Sequence, residues 1–180
     1  MNKQFARLRI PVHDDLLVSE FTSILTEYAI AYTSVRFFMT AGPEHEDRMI
    51  ALRFSYEPFL PHEEEPRLGR VMINSPGFWE IIGDWNPMKL IADYLKHRDQ
   101  LKHERRFDGA TRRGMDLDNL LKENEVIRER IEILQSVGFS KAKIRDSISQ
   151  YLEQPLERTS DISHRMNVGT PELINEKGKG

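Results

Sequence analysis

The chain has 180 residues, 39% of them apolar and 31% charged, with a formal net charge of −3 and no cysteine. That balance suits a globular protein with a large solvated surface. It excludes a disulfide framework, a thiolate metal site and a thiol nucleophile. A net charge so near zero also excludes a globally basic nucleic-acid binder, so any anion-seeking region must be a local patch.

In chain order, Ala6, Leu8, Ile10 and Val12 alternate with Arg7, Arg9 and Pro11, the period of a half-buried strand. Asp14 or Asp15 can cap a following helix, in which Leu17, Phe21, Ile24, Leu25 and Tyr28 recur at three- and four-residue steps, an amphipathic stripe made to lie on a sheet. Val35, Phe37 and Met39, then Ile50, Leu52, Phe54 and Tyr56, form two alternating runs about a Gly42-Pro43 turn. They predict a hairpin. A break from Pro58 to Pro66 precedes a further short strand at Leu68–Ile73. The expected fold class is therefore α+β, with a small mixed or antiparallel sheet in the order β-α-β-β-β and a helix on one face.

Ser75-Pro76 and Asn86-Pro87 each place a capping residue before a proline, which predicts two helix starts. The second helix carries Leu90, Ile91, Tyr94, Leu95 and Leu101 on one side. Beyond it the chain turns strongly charged, and Gly109 and Gly114 each cost a helix about 1 kcal/mol relative to alanine. The arm is thus expected to be either long or hinged. From Leu117 the residues Leu117, Leu120, Asn124, Ile127, Ile131 and Leu134 follow alternating steps of three and four, a short heptad-like seam with Asn124 at a core position. Leu121, Val126, Ile133 and Val137 widen its apolar arc, which fits a bundle or docking onto the chain's own body as well as a zipper. Gly138 is a natural helix end and Ser140 a natural start for a last helix with Ile144, Ile148, Tyr151 and Leu152 on one face, closed by Pro155. This predicts an α+β domain over 1–101, a helical arm with a C-terminal hairpin over 102–154, and a flexible tail over 155–180.

Candidate chemistry is sparse. Asn74-Ser75-Pro76-Gly77 between a strand and a helix could present backbone N–H groups to an anion, yet it lacks a nucleotide-binding glycine pattern. His13-Asp14-Asp15, His45-Glu46-Asp47 and His62-Glu63-Glu64-Glu65 lack metal-ligand spacing. No catalytic residue, cofactor, metal or small-molecule ligand is assigned. The strongest electrostatic feature is a basic stripe of Lys96, Arg98, Lys102, Arg105, Arg106, Arg112 and Arg113, able either to track a phosphate backbone or to form ion pairs on a solvated helix.

The run Ile73-Asn74-Ser75-Pro76-Gly77-Phe78-Trp79-Glu80, then Asn86-Pro87 opening a charged helix, then a seam closing on Val137-Gly138-Phe139-Ser140, resembles a set of uncharacterised bacterial proteins. The likeness spans roughly residues 70 to 155 and implies a bacterial source, with no catalytic residues to carry over.

The leading expectation is a non-enzymatic adaptor or assembly protein that associates, with itself or with a helical partner, through Leu117 to Leu134. The alternatives are a nucleic-acid or polyanion binder using the stripe, and an enzyme with a site near Ser75 to Trp85. The amino terminus has no apolar signal-peptide core, and the longest apolar run, Tyr28 to Tyr32, is far short of the ~20 residues that span a bilayer. The expected location is the cytoplasm, with no membrane partner.

Overall fold

The computed structural model describes residues 4–12, 16–40, 60–72, 77–104 and 124–175. Strand β1 (Phe5–Val12) buries Ala6, Leu8 and Ile10 completely, as its alternation requires. It pairs antiparallel with β3 (Gly77–Asp84), Phe5 lying opposite Asp84 and Val12 opposite Gly77. On its other side it pairs antiparallel with β4 (Glu172–Asn175), where Arg7 faces Ile174. β2 (Arg67–Met72) flanks β3, with an irregularity in the ladder between Leu68 and Val71. The sheet order is β2-β3-β1-β4. All the described pairs are antiparallel, so the antiparallel branch of the expected sheet is the one formed.

Helix α1 (Val18–Thr40) follows β1 and helix α2 (Trp85–Glu104) follows β3. The described elements therefore trace the β-α-β-β-α-β order of a split β-α-β arrangement, with further helices inserted between α2 and β4. No described helix is long and apolar enough to cross a membrane.

Three departures from expectation have physical causes. The alternation at Val35, Phe37 and Met39 is not a strand but the end of α1, because this half of the helix is packed on several sides. Ala31, Tyr32, Val35, Arg36, Phe37 and Phe38 are all buried, and a helix enclosed in this way loses its amphipathic period. Its predicted hairpin partner, Ile50 to Tyr56, lies outside the described residues.

The helix predicted to open at Ser75-Pro76 is instead β3. Phe78 to Ile82 are aromatic and β-branched residues around Glu80, and two ladders, to β1 and β2, outweigh the local capping signal. The start at Asn86-Pro87 does hold, with α2 beginning one residue earlier at Trp85.

The last helix does not close at Pro155. After α3 (Glu125–Ser136) and a turn, α4 (Lys141–Ile148) runs through a π-helical segment, Ser149–Glu153, into α5 (Gln154–Arg165). A proline inside an α-helix has no N–H for the carbonyl four residues back and clashes with it. The wider π turn accommodates Pro155, and the N–H of Gln154 bonds back to the Ser149 carbonyl five residues earlier.

The turn between α3 and α4 forms as its residues predict. Gly138 adopts φ 93°, its N–H bonds to the Gln135 carbonyl and that of Phe139 to the Leu134 carbonyl, the paired bonds of a Schellman stop. The Ser140 hydroxyl then accepts from the Lys143 N–H. Asn167 ends α5 in the same manner at φ 50°, with Val168 N–H on the Ser163 carbonyl. The chain next reaches the sheet, where Val168 bridges Val12, Gly169 N–H bonds to the Pro11 carbonyl, and β4 begins. Of the tail expected over 155–180, the residues to Arg165 are helix and Glu172–Asn175 are strand, while 176–180 lie outside the described residues.

A single core results. Ile127, Leu134, Ile144, Tyr151, Leu152, Leu156 and Ile162 pack into the same buried cluster as Leu8, Tyr28, Trp79 and Leu90. Thr159 Oγ1 donates to the Glu27 carbonyl, the Tyr28 and Ser163 hydroxyls are hydrogen-bonded at 3.1 Å, and the Phe37 and Tyr151 rings lie 5.5 Å apart. The C-terminal helices are thus fastened along α1.

Candidate functional site on the outer face of the sheet

Helices α1 and α2 lie against the sheet face that carries Ala6, Leu8, Ile10, Trp79 and Ile81. Strand alternation sends Arg7 and Arg9 of β1 and Phe78, Glu80 and Ile82 of β3 to the other face. The register sets Arg9 directly opposite Glu80 and Arg7 opposite Ile82. Glu80 consequently receives both arginines. Arg9 donates from Nε (3.0 Å) and Nη2 (2.7 Å) to one carboxylate oxygen, and Arg7 Nη1 donates to the other at 3.3 Å.

The Glu80 side chain is only 2% exposed, while those of Arg7 and Arg9 are 39% and 37% exposed. A buried carboxylate is tolerated only when it is paired and hydrogen-bonded, and here the two arginines satisfy both of its oxygens. Their guanidinium groups are held near the surface in fixed positions. The Arg9 guanidinium lies 4.5 Å over the Phe78 ring, and that of Arg70 approaches the same ring at 5.9 Å, contacts that a ring quadrupole favours. Arg67 sits opposite Ile82 on this face and Glu172 opposite Arg9. Four arginines therefore share the face with the buried Glu80 and with Glu172.

A second polar centre lies at the end of β3. Arg36, buried in α1, pairs with Glu64 at 2.7 Å and with Asp84. The Asp84 N–H donates to the Tyr32 hydroxyl at 2.9 Å. Burial works against the charge on Arg36, but the bond to Glu64 and the charge of Asp84 outweigh it, and its pKa ends above the ordinary guanidinium value. Burial pushes the Tyr32 phenol up to about 12, which unsuits it to proton transfer near neutrality. This centre ties the 3-10 turn at His62–Glu64 to the helix and the sheet. Its geometry is that of a structural clasp.

The residues singled out in the sequence fall elsewhere. Asn124, expected at a core position of the seam, caps α3 instead, its side chain accepting from the Ile127 N–H at 3.2 Å. Ile127 and Leu134 are buried within this chain's own core, with Ile131 packed against it. Leu117 and Leu120 lie outside the described residues. Of the basic stripe, Lys96 is exposed on α2, and Arg98 is drawn back against Tyr94 (5.9 Å) with Asp161 at 4.0 Å. Lys102 belongs to α2, while Arg105, Arg106, Arg112 and Arg113 lie outside the described residues.

The histidine-carboxylate sets at 13–15 and 45–47 are likewise outside. His62 is 96% exposed, with Glu65 3.4 Å away. Among the described residues no group of three or more histidines and carboxylates could hold a metal ion.

The arginine cluster was not singled out in the sequence, although one signal for it was present. Arg-x-Arg on an alternating strand and a lone glutamate inside the apolar run Phe78 to Ile82 are complementary once the register is known. The resembling segment also acquires a physical meaning. Trp79 packs edge-on against Phe21 with ring centroids 5.1 Å apart, while Glu80 points the other way and anchors the arginines.

Compared with known proteins, the chain matches no protein-family model, no curated protein and no solved structure.

Proposed function

We propose that this chain is a non-enzymatic binding protein that holds an anionic polymer on the outer face of its sheet. The observation that carries the reading is the pair Arg7 and Arg9, half-exposed and fixed side by side by a buried carboxylate. Arg67 and Arg70 on β2 extend the basic surface. Guanidinium groups fixed in advance lose less freedom on binding than mobile lysines do.

Titration with labelled single-stranded oligonucleotides and with heparin at two salt concentrations tests the reading. Binding should weaken steeply with salt, and Arg7→Ala should reduce the slope of log K against log salt by about one. Lys96→Ala, on α2 behind the sheet, should leave both affinity and slope unchanged. The reverse pattern would transfer the site to the α2 stripe.

A second reading, self-association through the C-terminal helices, is favoured by Ile133 and Val137, each 48% exposed on the outer side of α3 and its cap. Under that reading Ile133→Asp lowers the sedimentation coefficient. A wild-type chain that is monomeric at every concentration removes it.

A further inference from the structure

We infer that the polymer is a single-stranded nucleic acid, and that Arg9, held over Phe78 by Glu80, is the platform on which a base stacks. The inference rests on the sheet-face reading above and adds the chemical class of the ligand. A surface that served charge alone would gain nothing from a carboxylate beneath two arginines, since Glu80 cancels one of the positive charges it lies between. What Glu80 supplies is orientation. Its bonds to Nε and Nη2 of Arg9 fix one edge of the guanidinium, whose central carbon lies 4.5 Å from the centre of the Phe78 ring. The outcome is a half-exposed arginine anchored on one edge and set over a phenylalanine ring.

Guanidinium planes and aromatic rings are what unpaired bases stack on, and such stacking is tolerant of sequence. In a duplex the base faces are already occupied, and a sulfated polysaccharide has no flat π surface to offer. Arg7 stands two residues along the same strand, about 6.6 Å from Arg9 by strand rise, a step comparable to that between neighbouring phosphates of an extended single strand. One arginine can then stack while the other meets a phosphate. Phe5, 41% exposed on the same strand face as Arg7, adds an aromatic ring further along β1.

The test compares a short labelled single strand, the same sequence as a duplex, and heparin, each titrated with the full chain at matched salt. Three substitutions separate stacking from charge. Phe78→Ala should weaken single-strand binding roughly 5- to 150-fold, the range of one lost stacking contact, with an unchanged salt slope and unchanged heparin affinity. Arg9→Lys keeps the charge and loses the plane, so it should follow Phe78→Ala. Glu80→Gln adds net positive charge, so heparin should bind as well or better while the single strand binds more weakly.

Thermal melts show that each variant is folded. Should Phe78→Ala or Glu80→Gln unfold, Arg9→Lys decides alone. If duplex and heparin bind as tightly as the single strand and Arg9→Lys is neutral, the single-strand inference is overturned while the polyanion reading stands. If none of the three ligands binds at low salt, both fall.

Discussion

Ile127 separates two accounts of the C-terminal helices. As a seam residue it would face another chain; in the structure it is 0% exposed and belongs to the core shared with α1 and the sheet. Ile127→Ala removes three carbon groups. At ~0.8 kcal/mol for each group kept from water, the transfer loss is about 2.4 kcal/mol. The cavity left behind brings the total to roughly 3–4 kcal/mol. For a chain of 180 residues that corresponds to a fall in Tm of roughly 6–16 °C. Urea unfolding followed by tryptophan fluorescence should show the midpoint falling at constant m-value, with no change in sedimentation. Ile133→Ala, at a position 48% exposed, should stay within about 0.5 kcal/mol of the parent. A variant at position 127 that keeps full stability but turns an oligomer into a monomer would refute the internal docking of α3.

Two further outcomes follow from the core. Gly83→Ala should cost about 1–3 kcal/mol, because its Cβ would lie 2.4 Å from Tyr32 Cε2 and 2.7 Å from Met88 Cε, and the Tyr32 ring is tethered by the Asp84 N–H; equilibrium unfolding measures it, and a neutral result would show that the ring can move aside. Burial pushes the phenols of Tyr28, Tyr32 and Tyr94 up to about 12, whereas in the unfolded chain they ionise near pH 10. Between these values the folded state retains protons that the unfolded state has lost, so stability is full below about pH 10 and falls as the pH rises towards about 12. Tyrosinate absorbance should show these three of the five tyrosines ionising late and together with unfolding. Release of all five near pH 10 from an intact fold would contradict the burial.

What could be read in the sequence was chemistry that is local. The Gly138 stop and the Ser140 cap each depend on bonds within a few residues, and both formed. The alternation of β1 also sufficed, because one of its faces is wholly apolar. The misreadings share a dependence on distant chain. Val35 to Met39 resembles a strand only until the surrounding helices are known to bury its other residues. Ser75-Pro76 resembles a cap until β1 claims the segment after it. β4 has four residues, too few for a period, and exists because β1 offers it an edge. Glu80 meets Arg9 across 71 residues of sequence, a partnership that only the strand register discloses.

The position of β4 also constrains the order in which the protein can be made. β1 leaves the ribosome well before its outer neighbour β4, with all the described helices made between them. During synthesis β1 can pair with β3 once residue 84 has emerged, but its other edge must wait while the α3, α4 and α5 segments are translated. Contacts between such remote parts form slowly, and an unpaired strand edge invites association with other chains. A ribosome stalled within α5, or a chain cleaved before residue 172, would therefore leave β1 unpaired along that edge.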